Sequence, residues 1–294
     1  MNRDLSERLE SRIISSRAVK SVVGPVDSGL NRVFGSGPLR SIKLLFNGSW
    51  LGHPLHPLLT DVPVGAWTAA ILLDLLALVF HFPTGRASSV AVGLGIAAAL
   101  AAAAAGLMDW IDVNPPEKAV GGVHAVLNIT ATVLFAVSLV IRGKHMWHAT
   151  PSAFAVAAAG YLILALGAFL GGSMVYRMGV MINRNAYRSG PEEFFSALPS
   201  SELSEGQLRR VMVREEPILL LRRGEQIFAV GAVCSHYGAP LEEGKIVDGT
   251  VQCPWHASRF GLEDGAVREG PACAPLPSYE VRVAGGQIQV RRRP

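Results

Sequence analysis

Four apolar runs, residues 58–80, 88–108, 119–141 and 152–176, constrain this chain of 294 residues more than any other feature. Each is close to the roughly 20 residues that a helix needs to cross a bilayer. The breaks between them are chemically plain: Pro83 and Arg86, then Asp109, Asp112, Pro115, Pro116 and Glu117, then Arg142, Lys144 and Pro151. Residues 58–177 hold only ten Asp, Glu, Lys or Arg, whereas residues 206–294 hold 22, so the two parts suit different solvents. The first part therefore predicts an all-α four-helix transmembrane bundle over 58–177. Buried helices of a large soluble protein are disfavoured, because four such runs with polar breaks are the membrane pattern.

The formal charge of +4 divides as +4 over residues 1–57, −2 over 58–205 and +2 over 206–294. A basic segment beside apolar spans points to the lipid bilayer and its anionic headgroups, not to nucleic acid, since no arginine- and aromatic-rich binding module accompanies it. Residues 1–43 carry Lys or Arg every few positions, with no apolar signal-peptide core and no twin-arginine pair. Four spans return both termini to one side. Arg32, Arg40, Lys43, Lys118, Arg177, Arg184 and Arg188 lie on that side, against Arg86, Arg142 and Lys144 on the other. The excess predicts a multi-pass cell-membrane protein with both termini in the cytoplasm.

Trp50, Trp110 and Trp147 fall where interfacial anchors are expected. Small residues, eight alanines in 97–105 and the Gly167/Gly171 pair, predict close helix packing. Residues 4–14 read as a short amphipathic helix within a basic N-terminal segment, 1–57. No internal repeat is apparent. Residues 178–205 turn polar, with Ser189, Gly190, Pro191, Pro199, Ser200 and Ser201, and read as a linker. Beyond it, β-forming runs at 218–221, 227–230, 279–283 and 288–290, separated by Gly-containing turns, predict a small all-β domain over 206–294.

That domain carries the densest chemistry in the chain. Cys234-Ser-His236 is followed, after 16 residues, by Cys253-Pro-Trp-His256. Two thiolates and two imidazoles suit a structural zinc, although zinc sites usually pair Cys with Cys and His with His along the chain. One Cys and one His per loop is the division that suits a [2Fe-2S] cluster with two Cys on one iron and two His on the other.

With CSHYGAPL, CPWHASRF and the later GPACAPLP loop, residues 206–294 resemble a Rieske ferredoxin-type domain. The resemblance implies Cys234 and Cys253 on one iron and His236 and His256 on the exposed one. High-potential members add a cysteine to each loop, joined as a disulfide; Ala239 and Trp255 stand at those positions here. Such members also place a Ser and a Tyr against the cluster or ligand sulfur. Ser258 matches the first and Phe260 replaces the second, which implies a low-potential, ferredoxin-like cluster, because hydrogen bonds to sulfur raise the potential. Cys273 lies in the proline-rich segment and is expected to pack as a small hydrophobe.

The first 177 residues resemble a bacterial membrane family of unknown function marked by Gly-His-Pro-x-His-Pro, here Gly52 to Pro57, followed by Asp61, Pro63, Gly65, Asp74, Asp109, His124 and Asn128. His53, His56, Asp61, Asp109, His124 and Asn128 are all expected near the cytoplasmic edge, with Asn128 on the face of His124. Ionisable groups at membrane depth mark functional sites by default. Helix capping and mutual hydrogen bonding is the plain interpretation; a haem or quinone site on His53, His56 and His124 is the sharper one, and metal or proton handling a third. Asp74 is expected to meet His81, His145 or His148.

Together these features predict a membrane-anchored carrier of single electrons between a membrane redox partner, quinone or haem, and a soluble partner protein such as an oxygenase. It would be an electron-transfer component of an oxidoreductase system; a self-contained oxygenase would need a further two-His, one-carboxylate iron domain. The competing class is a redox or oxygen sensor whose cluster state acts on the membrane domain.

Overall fold

The computed structural model describes residues 4–188 and 190–293. It divides into two compact units, residues up to 47 with 55–180, and residues 48–54 with those from 181 on.

In the first unit the four apolar runs are continuous helices: α4 (Leu55–Phe80), α5 (Gly85–Ile111), α6 (Glu117–Lys144) and α7 (Pro151–Tyr176), each long and apolar enough to cross a membrane. Thr150 starts α7 by accepting the Ala153 N–H, with Pro151 in the first turn where its missing donor is harmless. Leu72, Leu100, Val126 and Leu162 stand exposed along the four helices, as lipid-facing residues must. The bundle centre is narrow. Trp67 stacks on Phe135 with ring centroids 4.1 Å apart, and Gly95 admits the indole where a Cβ would overlap it. Of the small residues that predicted close packing, Gly171 leaves room for the His124 ring and Gly167 for the Asn128 side chain.

Asp74 does not meet a histidine. It is fully buried with Arg142 of α6, which reaches it through both guanidinium nitrogens, while Ser88 donates to the same carboxylate at 2.6 Å. The long arginine crosses the bundle at a depth where an unpaired carboxylate would be costly. Trp110 is also buried: its indole N–H donates to the Lys118 carbonyl at 2.9 Å, whereas Trp50 and Trp147 are exposed.

The basic N-terminal segment is folded as α1 (Leu5–Ser15), α2 (Arg17–Phe34) and α3 (Arg40–Asn47). Asp4 and Ser16 cap the first two. Polar ties bind these helices to the bundle: Lys43 to Asp112 at 2.6 Å, Asn47 to Asp109 at 2.7 Å, Asp27 to Lys118 at 2.6 Å and Asp4 to Arg177 at 2.5 Å, with Ser173 donating to Glu10. Charges read from the sequence as an orientation signal are thus partly structural.

The second unit is antiparallel β-structure in three sheets. One has the order β1 (Phe195–Pro199), β10 (Gln287–Arg292), β9 (Tyr279–Ala284); the next β2 (Arg209–Val213), β3 (Glu216–Arg223), β4 (Gln226–Gly231); the third β5 (Lys245–Val247), β6 (Thr250–Gln252), β7 (Arg259–Gly261), β8 (Val267–Glu269). β1 comes from the stretch read as linker and pairs with β10, Phe195 opposite Val290. β3 explains why residues 218–221 cluster apolar residues instead of alternating them. It lies between two cores, Ile218 and Leu220 entering one with Tyr279 and Ile288, Leu219 and Leu221 the other with Cys234, Cys253 and Phe260.

Candidate metal centre

Cys234 lies three residues beyond β4 and Cys253 directly after β6, and at each cysteine the chain closes a short loop by the same two bonds. The Cys234 N–H donates to the Ala239 carbonyl at 2.9 Å, and its own carbonyl accepts from Gly238 at 2.9 Å. In the second loop the Cys253 N–H donates to the Ser258 carbonyl at 2.8 Å, and its carbonyl accepts from Ala257 at 3.2 Å. The residue four beyond each cysteine is left-handed, Gly238 at φ 81° and Ala257 at φ 59°. Such closure leaves the histidines on rigid turns.

A third segment ties the loops down. Ser235 donates to the Ala274 carbonyl at 2.6 Å, and the Ala272 N–H donates to Ser258 Oγ at 3.0 Å, so the proline-rich stretch 271–277 holds both loops through one serine each. Ser258, expected beside the sulfurs, accepts this backbone N–H through its oxygen and keeps its own O–H proton as a donor. Cys273, part-buried, has its Sγ 3.6 Å from the Pro271 carbonyl. Residues ahead of the sheets close the other flank: the Arg184 N–H donates to the Ser235 carbonyl at 3.1 Å and Asn185 to the Val233 carbonyl at 2.9 Å, while the Arg184 guanidinium lies over the Tyr237 ring.

The loops bring the four donors together in pairs. The thiols of Cys234 and Cys253, both buried, share a hydrogen bond. That bond pulls the Cys253 thiol down to about 7, while the bond and burial push Cys234 far up, so the pair gives up one proton readily and the second reluctantly. The His236 and His256 rings meet edge to face with centroids 5.0 Å apart, and Tyr237 stands beside both at 4.9 and 5.8 Å. His236 is buried and His256 only partly so, next to Trp255, which is half exposed.

Two thiols and two imidazoles in separate pairs fit a binuclear cluster whose irons differ in ligation. A single ion would need at least three donors gathered on one point, and among the described residues no such group of His, Cys, Asp or Glu occurs.

The other six predicted residues separate. His56 and His124 come together, ring centroids 6.3 Å apart, with Asn128 donating to the His124 carbonyl at 2.8 Å and standing beside its ring. Asp109 is engaged with Asn47. His53 is exposed in residues 48–54 of the other unit, its Nδ1 3.0 Å from the carbonyl of Pro54, and Asp61 is exposed on α4. Two features were missed: the backbone acceptors of the two histidines, which have no side-chain signature, and the Arg142–Asp74 pair, whose partners lie 68 residues apart.

Residues 193–280 match the family described as the Rieske [2Fe-2S] domain, and residues 52–184 match a predicted membrane protein family, DUF2231. The β unit is 38% identical over 93 residues to the 3-phenylpropionate/cinnamic acid dioxygenase ferredoxin subunit of Escherichia coli K12, covering 31% of this chain and 87% of the subunit. It is 33% identical over 90 residues to human apoptosis-inducing factor 3, 31% of this chain; the chain spans only 15% of that protein's length. Among solved structures, the ferredoxin of carbazole 1,9a-dioxygenase from Nocardioides aromaticivorans IC177 is 26% identical over 34% of this chain and 98% of its own, with a TM-score of 0.33.

Proposed function

Because the chain belongs to the Rieske [2Fe-2S] family, we propose that it is a membrane-anchored, low-potential carrier of single electrons between a membrane redox partner, haem or quinone, and a soluble partner such as an oxygenase. The observation that carries this reading is the pairing of donors: two thiols on one side and two imidazoles on the other, on loops closed by matching hydrogen bonds. Cys234 and Cys253 would hold one iron and His236 and His256 the other; the cluster, when bound, takes up and releases one electron.

The chain's own residues set how that electron is handled. Phe260, fully buried, offers no hydroxyl to the sulfurs, and Ala239 and Trp255 allow no loop disulfide, which favours a low potential. His256, partly accessible beside Trp255, is the natural contact point for a partner, since His236 lies buried beneath Tyr237 and the Arg184 segment. The bundle anchors the carrier, and the excess of Lys and Arg flanking the spans on the side of the termini supports a cytoplasmic β domain.

The test is EPR with iron and sulfide analysis on the full chain in detergent, followed by a redox titration. A Rieske signal that disappears on replacing Cys234, His236, Cys253 or His256, with a midpoint in the ferredoxin range, supports the proposal. Zinc without sulfide overturns the cluster, and a midpoint as high as in respiratory Rieske proteins overturns the low-potential assignment.

A further inference from the structure

One bond is made twice in the membrane unit. His56, in the first turn of α4, faces the Ala102 carbonyl of α5 with Nδ1 at 2.8 Å. His124, two turns into α6, faces the Gly167 carbonyl of α7 with Nδ1 at 2.8 Å. Four residues beyond each carbonyl stands a glycine. A Cβ on Gly106 would come within 2.7 Å of the His56 ring, and one on Gly171 within 2.9 Å of the His124 ring. Each hairpin, α4–α5 and α6–α7, therefore seats one imidazole on the bare backbone of its second helix.

The chemistry of the two rings follows. A carbonyl oxygen can only accept, so Nδ1 carries the proton in both, and each neutral ring presents its lone pair at Nε2. Metal-bound histidines nearly always donate their other ring N–H in this way, commonly to a backbone carbonyl, which fixes tautomer and orientation. The rings stand at 87° with centroids 6.3 Å apart. Two imidazoles on opposite sides of one metal, with metal–nitrogen bonds of about 2.0 Å each, place their centroids about 6 Å apart. The Asn128 amide, which donates to the His124 carbonyl at 2.8 Å, also stands with Nδ2 3.4 Å from His124 Nε2 and is the donor that a metal at that lone pair displaces.

Two donors do not complete the shell of a lone divalent ion, and among the described residues no third His, Cys, Asp or Glu joins them. Haem iron needs only two from the protein, since the macrocycle supplies the other four. A quinone needs hydrogen-bond donors for its oxygens, and both N–H groups already face carbonyls.

We propose that His56 and His124 are the two axial ligands of one haem held between the α4–α5 and α6–α7 hairpins. The site rests on, and makes specific, the reading that the membrane half exchanges electrons with the cluster. The exchange moves one electron and makes or breaks no bond: haem iron passes between ferric and ferrous as the [2Fe-2S] cluster changes by one electron in the opposite sense. Gly106 and Gly171 are positioning residues for the rings.

The experiment expresses the full chain with haem precursor and purifies it in detergent, then records haem content, the reduced-minus-oxidised visible spectrum and the Rieske EPR signal together. About one low-spin haem per chain is expected. His56→Ala and His124→Ala should each lose it at least tenfold while the EPR signal persists. His124→Met, which keeps a ligand of different softness, should retain haem with a shifted spectrum and a raised midpoint, and Gly171→Ala should perturb the spectrum by displacing the ring. Low-spin haem surviving both alanine variants, or a chain with an intact cluster signal and no haem, overturns the site. If that haem-free protein carries extractable quinone and its cluster is reduced by quinol, the electron-carrier reading stands and only the haem assignment falls.

Discussion

Ala257 holds in the second Cys–His loop the position that Gly238 holds in the first: four residues beyond the cysteine, left-handed, its N–H returned to the cysteine carbonyl. A residue with a Cβ costs about 1–2 kcal/mol in that conformation, and glycine adopts it freely. Ala257→Gly is therefore expected to stabilise the fold and Gly238→Ala to destabilise it, by up to about 1 kcal/mol each after the entropy of glycine is counted, with the melting temperature moving in the same sense. Thermal unfolding of the two variants beside the parent decides it; equal losses in both would remove the left-handed strain as the cause.

Tyr279 gives a pH prediction. It is buried in the second β core, where burial first and the charge of Glu216 second push its hydroxyl from 10.0 up to about 12. The folded state thus resists ionisation that the unfolded chain undergoes. Its stabilising contribution is complete below pH 10 and is lost as pH rises towards 12, to the extent of about 2–3 kcal/mol. The alkaline limb of the stability curve should be shallower in Tyr279→Phe, and superimposable curves would refute the assignment.

The Asp74–Arg142 pair is fully enclosed. Removing one partner strands the other, which costs about 3–5 kcal/mol, whereas replacing both by apolar residues of similar bulk is far milder. Asp74→Ala and Arg142→Ala should each melt well below the parent in detergent, and the Asp74→Leu/Arg142→Leu double variant should recover most of the difference. Single variants as stable as the parent would show that the pair ties nothing together.

Phe260 is enclosed beneath the ligand loops in the core that holds both cysteines. Phe260→Tyr adds a hydroxyl there, and a bond from it to sulfur should shift the cluster midpoint upwards in a redox titration at fixed pH. A midpoint that is unchanged or lower counts against the account of the low potential.

Sequence legibility followed range. The four spans were readable because length and hydropathy are local properties, and the Cys–His pairs because each loop carries its own donors two or three residues apart. The N-terminal helices were less so: residues 4–14 showed their amphipathic period, but Lys43 finds Asp112, and Asn47 finds Asp109, across more than 60 residues. The membrane histidines stood out by type, yet their acceptors are main-chain carbonyls on the next helix, which any residue supplies. For the same reason the twofold correspondence of the hairpins leaves no repeat in the amino acids. β1 was hidden in a polar stretch because its pairing with β10 is decided some 90 residues downstream.

The two hairpins differ in what each can satisfy by itself. Each histidine finds its carbonyl within the hairpin that carries it. Asp74 is different: it draws Ser88 from the first hairpin and Arg142 from the second. One buried charge pair thus ties the first hairpin to the second, while each imidazole leaves its own hairpin self-sufficient.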